Sequence, residues 1–372
     1  MIYFDNAASG FFKPSRSLSA FEYAAKNLSV NGSRSSHRLA TDAQREIFSA
    51  RKIISETFNN GVIERVIFTL NCTEALNFAI FGSKLRYGEI VTTVTEHNAV
   101  LRPLYRLRKN GVKVRFAELS DKPFITEDDL LPLVGKKTDL VVINAVSNVT
   151  GYPNRFKEIA RELKKTNIPI IVDGAQAGGH VAIDMLADGI DCLCLAGHKG
   201  LYSTQGVGAL IFTENFSPTP TLFGGSGTES FSETPSCYPE LLEVGTQNLP
   251  AIMSLKEGVF FAREKLGQNS KILNDLTAYL LNKLRDMPFI KVFSEANPFG
   301  IVSFSHESFD SAELSRILDV NFDIAVRGGF HCAPLIHKAL STDIDGLVRV
   351  SFSPFNTERE IDALVSALKT IS

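Results

Sequence analysis

Two charged positions sit where apolar runs end. In VDGAQ (172–176) Asp173 closes one run, and in AGHKG (196–200) His198 and Lys199 follow another. A carboxylate at the edge of a core is costly unless it finds a cationic partner. Two ordinary roles stand beside a chemical one: Asp173 as a helix N-cap, and Lys199 as a side chain snorkelling to solvent. A lysine desolvated beside a cation or a carbonyl instead has a lowered pKa and acts as an amine nucleophile. Together the two residues suit pyridoxal phosphate, which needs a lysine for its Schiff base and a carboxylate on its pyridinium nitrogen. Its phosphate needs amides and hydroxyls at a helix start, and NCTEALN (71–77) offers Thr73 at such a point. His97, in TEHNAV, is placed to stack on a ring face.

A second kind of chemistry is written in RGGFHCAPL (327–335). Cys332 is either a nucleophile on an exposed loop or a small apolar filler. A reactive thiolate needs cationic neighbours, and Arg327 and His331 are candidates. Gly328 and Gly329 permit backbone shapes denied to other residues, and Pro334 fixes the end of the segment.

These residues need elements to hold them. From about 60 to 215, short apolar runs alternate with helical patterns: RVIFTL (65–70), a helix over 73–85, EIVTTV (89–94), a helix over 98–109, VKVRFAEL (112–119), DLVVINAV (139–146), IPIIVDGA (168–175), DCLCLAG (191–197) and GVGALIF (206–212). Apolar strands of this kind are covered on both faces, so the pattern predicts an α/β fold with a largely parallel sheet. Ligands of such sheets bind beyond the carboxyl ends of the strands. That rule gathers Thr73, His97, Asn148, Asp173, His198 and Lys199 at one site. Cys192 and Cys194, two apart, share a strand face and read as core. After about 250 the pattern predicts helices over 250–266, 270–286, 311–319 and 357–370, interleaved with strands of a smaller α+β unit. The stretch 212–240, rich in Ser, Thr, Pro and Gly, reads as a mobile lobe or an interface segment.

Composition narrows the function classes. The chain has 372 residues and a formal net charge of −2, which argues against a coat for nucleic acid or anionic membrane. No apolar run reaches the ~20 residues of a membrane span. The five cysteines show no disulfide or zinc spacing, and the start lacks a signal-peptide pattern, so a cytoplasmic setting is expected.

The ordered set YFDNAAS, NCTEALN, TEHNAV, SNVTG, VDGAQ, AGHKG, VGTQN, RGGFHCAPL and VRVSF…FNTEREID resembles the class V aminotransferase family of pyridoxal-phosphate enzymes, most of all its cysteine desulfurase and selenocysteine lyase branch. The resemblance implies the fold type I transferase architecture: a large domain over 15–250 with a mostly parallel, seven-stranded type of sheet, and a small α+β domain from 1–14 and 251–372. It implies that Lys199 carries the cofactor, Asp173 binds its ring nitrogen, Gln176 its hydroxyl, and Thr73 and His198 its phosphate, with His97 stacked on the ring. Thr246 would reach the phosphate of the other subunit of a homodimer. Asn148 and Arg349 would hold the substrate carboxylate, with His37 and Arg327 near the substrate. Without the resemblance, Arg349 reads equally as a residue on a strand surface. Cys332 would take sulfur from L-cysteine as a persulfide, for transfer to an acceptor protein, leaving alanine. Selenocysteine lyase, another β-lyase or aminotransferase, and a non-catalytic sulfur-trafficking partner are the alternatives. Two positions depart from the family pattern: Ala196 replaces a phosphate-binding serine, and Phe330 replaces a histidine.

Overall fold

The computed structural model describes residues 1–32, 35–85 and 87–371. The chain opens with a short strand β1 (Ile2–Tyr3) and two helices, α1 (Ser15–Asn27) and α2 (Arg38–Phe58). An alternating series follows: β2 (Val66–Thr69), α3 (Cys72–Gly82), β3 (Glu89–Thr93), α4 (Asn98–Lys109), β4 (Lys113–Ala117), α5 (Glu127–Leu130), β5 (Thr138–Asn144), α6 (Phe156–Lys164), β6 (Ile170–Asp173), α7 (Met185–Asp188), β7 (Cys192–Ala196) and β8 (Gly208–Phe212). The remainder holds α8 (Leu249–Arg285), β9 (Ile290–Val292), β10 (Ile301–His306), α9 (Ser311–Phe322), β11 (Ile324–Ala325), β12 (Arg327–Gly329), α10 (Pro334–Ala339), β13 (Leu347–Ser351) and α11 (Glu358–Ile371).

Seven strands form one sheet in the order β2-β8-β7-β6-β5-β3-β4. Only β8 runs antiparallel to its neighbours. The alternation of side chains is legible in the two cores that flank the sheet. Val141, Ile143, Ile170, Val172, Leu193 and Leu195 enter one, while Leu140, Val142, Ile171, Cys192 and Cys194 enter the other. Period-2 geometry requires this split. It also makes Cys192 and Cys194 core residues, as their spacing predicts.

A second, antiparallel sheet has the order β12-β13-β10-β9. Its core gathers Phe304, Val348 and Val350 with Phe4 from the start of the chain. The first residues are tied there by β1 pairing with β11 and by an Asp5–Ser351 bridge.

The largest difference from the expected helices lies after residue 248. The segments expected over 250–266 and 270–286 form a single 37-residue helix, α8. Gly267 lowers helix propensity, but the flanking turns are buried: Leu255 and Val259 pack in the large-sheet core, and Leu273, Leu280 and Leu284 in the small-sheet core. Burial on both sides overrides one weak residue. α4 spans 98–109 as predicted, and α3 stops at Gly82, where a Cβ would press on the Thr219 carbonyl.

Candidate active site

The parallel strands deliver their polar successors to one edge of the large sheet. Asp173 is the last residue of β6, in register with Asn144 at the end of β5. Ala196 ends β7, with His198 and Lys199 just beyond. Thr73 lies in the first turn of α3, behind β2, and His97 is the N-cap of α4, behind β3. These residues, with Asn148, Gln176, Arg327 and Arg349, line a single cavity of about 210 Å³. The strand-end rule thus brings together residues from segments far apart in sequence.

Asp173 is buried, and its Oδ1 is held twice, by the Ala175 amide at 2.9 Å and the Cys72 thiol at 3.5 Å. Burial pushes the Cys72 thiol well above its ordinary pKa, so it stays protonated and donates. Oδ2 of Asp173 has no partner among the described residues and is left for the cavity. Enclosure pushes the Lys199 amine below its ordinary value; Asp173 opposes this, and Arg349 and Arg327 reinforce it. A lysine driven toward its neutral form is a nucleophile.

His97 accepts the Ala99 amide at Nδ1, 3.0 Å away, so its proton sits on Nε2. Burial lowers its pKa to about 4 against the opposing pull of Asp173. His198 is lowered to about 4 by burial, Lys199 and Lys13. Its carbonyl accepts the Gly10 amide and Lys13 Nζ, which fixes the backbone beside Lys199. At the start of α3, Asn71 caps the Glu74 amide. The amides of Cys72 and Thr73 keep no partner among the described residues, so the helix presents an anion-binding end to the cavity. Gln176 donates to the Ala7 carbonyl at 2.9 Å.

The opposite wall comes from the small sheet. Arg349 and Arg327 face each other in register on β13 and β12. Arg349 is buried and donates to the Asn148 carbonyl at 2.9 Å and to Asp5 Oδ1 at 2.7 Å, and its Nε has no partner. Asn148 donates to the His331 carbonyl, and its own Oδ1 is buried without a partner. Both atoms are buried, and both residues line the cavity.

Cys332 is exposed. It adopts φ +57°, directly after His331 at +48°. Two successive left-handed non-glycine residues are strained, and strain of this kind gathers at functional turns. The turn is pinned on two sides. The Cys332 carbonyl accepts the Asn98 amide at 2.6 Å, next to His97, and Arg327 donates to the Cys332 thiol at 3.7 Å. Gly328 is required because a Cβ would collide with the Ser311 carbonyl, and Gly329 takes φ +109°. Pro334 begins α10.

One expectation is corrected. His331 does not supply positive charge to the thiol. It is buried, bonded to the Leu347 carbonyl, and held neutral by burial and by the nearby Arg349. Among the described residues, Arg327 is the cation that donates to the thiol. Two further residues lie outside this cavity. Thr246 lines a separate groove and accepts from Asn31, and His37 is an exposed N-cap of α2. Sequence reasoning missed Asp5, Cys72 and Lys13. YFDNAAS carries Asp5, but no local signal marks it as the partner of an arginine at position 349.

A lysine amine, a carboxylate, a neutral imidazole and a free helix N-terminus share one cavity, facing a buried arginine: an amine nucleophile beside groups that accept anions. The class V aminotransferase model matches residues 2–364, and the chain belongs to that family. Among its relatives are probable cysteine desulfurases from Borreliella burgdorferi, 30% identical over 100% of this chain and 92% of the relative, and from Pyrococcus abyssi, 29% identical over 100% and 94%. The apo structure of a cysteine desulfurase from Thermococcus onnurineus NA1 superposes with a TM-score of 0.90 at 28% identity, covering 100% of this chain and 94% of the other. A cysteine desulfurase from Escherichia coli gives 0.87 at 26%, covering 99% and 94%.

Proposed function

We propose that this protein is a pyridoxal-phosphate-dependent cysteine desulfurase, which converts L-cysteine to L-alanine and keeps the sulfur as a persulfide on Cys332. The observation that carries the reading is the turn at 331–332. It sets an exposed thiol beside Arg327, while the Cys332 carbonyl accepts the Asn98 amide at the start of α4, directly after His97.

The donor set fits the cofactor. Asp173 Oδ2 would hold the ring nitrogen, Lys199 the aldehyde carbon, Gln176 the ring hydroxyl, and Thr73, His198 and the first amides of α3 the phosphate, with His97 against the ring. When bound, pyridoxal phosphate supplies an electron sink that labilises the bonds at the substrate's Cα and Cβ. The protein does the rest. Arg349 and Asn148 grip the substrate carboxylate, the guanidinium supplying a fixed positive charge at the cavity wall. Lys199, with its lowered pKa, moves the proton at Cα. The Cys332 thiolate, paired with Arg327, attacks the substrate sulfur. A sulfur–sulfur bond forms as the carbon–sulfur bond breaks. The electron pair stays on carbon, which takes a proton to become the methyl group of alanine.

On this reading residues 15–250 form the cofactor domain, and 1–14 with 251–372 the small domain. Thr246 and His37, both outside the cavity of their own protomer, would serve the site of a second copy in a homodimer.

The test is made on cofactor-loaded protein with L-cysteine and a thiol reductant. Wild type is expected to yield alanine and sulfide in equal amounts, and Cys332→Ala neither, with the cofactor still trapped on Lys199 by borohydride. Pyruvate with sulfide, or turnover indifferent to the substitution, would point to a β-lyase or aminotransferase instead.

A further inference from the structure

α4 differs from the other helices of eight residues or more. It carries Arg102, Arg106, Arg108 and Lys109 and no acidic residue, whereas each of the others includes Asp or Glu. All four cations are exposed. None forms an ion pair among the described residues; Arg108 lies over the Tyr105 ring. The helix dipole favours cations in the last turn and accounts for Arg106, Arg108 and Lys109. It gives no reason for Arg102, which lies in the second turn, out of reach of either end.

Arg102, Arg106 and Lys109 fall at i, i+4 and i+7 and share one face, a track of about 10 Å. The track begins at the thiol. Arg102 and Cys332 line one open groove of about 380 Å³, with Asn77, Phe81 and Pro103. That groove shares Thr73, His97 and Ala99 with the enclosed cavity, so it leads directly out from the site. The whole chain has a net charge of −2, so the positive track is a local feature rather than part of a generally basic surface.

We infer that this groove and the Arg102–Arg106–Lys109 face dock an acidic, thiol-bearing segment of a partner protein, which takes the sulfur from Cys332. The inference rests on the function proposed above. The partner's thiolate attacks the outer sulfur of the Cys332 persulfide and forms a new sulfur–sulfur bond. The old bond breaks with its electron pair on Cys332 Sγ, which takes a proton. The exchange needs no external oxidant or reductant. Opposite charge steers the encounter and fixes its register, and salt weakens it.

The test uses enzyme charged with L-cysteine in the absence of reductant, with the Cys332 persulfide confirmed by mass. Three synthetic peptides are offered, each with a single cysteine, flanked by Glu and Asp, by Gln and Asn, or by Lys. The acidic peptide is expected to acquire sulfur about 10-fold faster than the neutral one, and the basic peptide slowest. The advantage should vanish in about 0.5 M salt, and in the Arg102→Glu, Arg106→Glu, Lys109→Glu variant. That variant should retain wild-type alanine production with a small thiol reductant, which shows that it folds; the single Arg102→Glu variant should show a partial loss. Equal rates for acidic and neutral peptides, or an advantage that survives the triple variant, would overturn the inference. So would a single-stranded RNA that competes for this face more tightly than the acidic peptide. Persulfide forming on Cys332 without any acidic preference sinks the docking inference alone; no persulfide at all sinks the functional reading and this inference with it.

Discussion

The site has two walls built on opposite terms. The large-sheet wall is buried and held in place, with its free donors and acceptors turned to the cavity. Asp173 is held at Oδ1 by two donors, His97 is fixed by the Ala99 amide, and Lys199 is enclosed. The wall at 327–334 carries its nucleophile exposed, on a strained turn with one cationic contact. Proton transfer gains from desolvation and fixed geometry, because both shift pKa values and align the groups. A sulfur carrier has to meet one molecule inside the cavity and another outside it. The enclosed wall supplies the first requirement and the exposed turn the second.

The sharpest way to break the pairing is Lys199→Ala. Alanine formation should fall by about 10³-fold or more, since a covalent anchor and a proton carrier are lost together. Alkylation of Cys332 by iodoacetamide should proceed at the wild-type rate; a slowed rate would show that the two walls are not independent. Next comes Arg349→Lys, which removes the fork geometry. KM for L-cysteine should rise about 10- to 100-fold with a smaller change in kcat, because a flexible point charge replaces the fixed guanidinium. An unchanged KM would remove Arg349 from the substrate contact.

Glu96 sharpens the comparison from beneath the buried wall. It accepts from Thr93 and from the Asn144 amide, and its Oε2 has no partner. Burial raises its pKa from 4.5 to about 8. The folded state therefore keeps a proton that the unfolded chain releases above pH 4.5. Between pH 4.5 and 8 the folded form binds more protons, so stability falls as pH rises, by up to about 1.4 kcal/mol per unit. Glu96→Gln should flatten this decline in Tm between pH 5 and 8, while a slope identical to wild type would mean the carboxyl is ionised throughout. The smallest effect is expected from Ala196→Ser, which restores a hydroxyl to the cavity wall. Cofactor affinity should rise by a factor corresponding to about 0.5–1.5 kcal/mol, the net worth of one hydrogen bond; no gain would mean that the α3 amides already satisfy the phosphate.

The large-sheet wall was the more legible in sequence. An apolar run followed by one polar residue marks a strand end, and topology alone gathers such ends. Asp173, Lys199, His97 and Thr73 follow from that rule, and the bounds of α4 from its apolar spacing. The other wall depends on contacts that leave no local trace. Asp5 meets Arg349 across nearly the whole chain, and the Cys72–Asp173 contact joins a helix start to a strand end. His331 reads as an exposed cation in RGGFHCAPL, because nothing in that string reveals that the left-handed turn directs the imidazole inward and the thiol outward. The continuity of α8 was hidden for a related reason. Gly267 is a local signal to stop, and the burial that overrules it comes from two separate cores.

That helix has a mechanical consequence. At about 1.5 Å per residue it is a rod of roughly 55 Å, with its first half embedded in the large-sheet core and its second in the small-sheet core. The rod joins the two sheets without a slack linker, and the Cys332 carbonyl bond to Asn98 ties the turn of the thiol to the large-sheet wall. Neither core can melt alone without stripping apolar turns of α8 into water, which binds the fate of the two sheets into one cooperative unit.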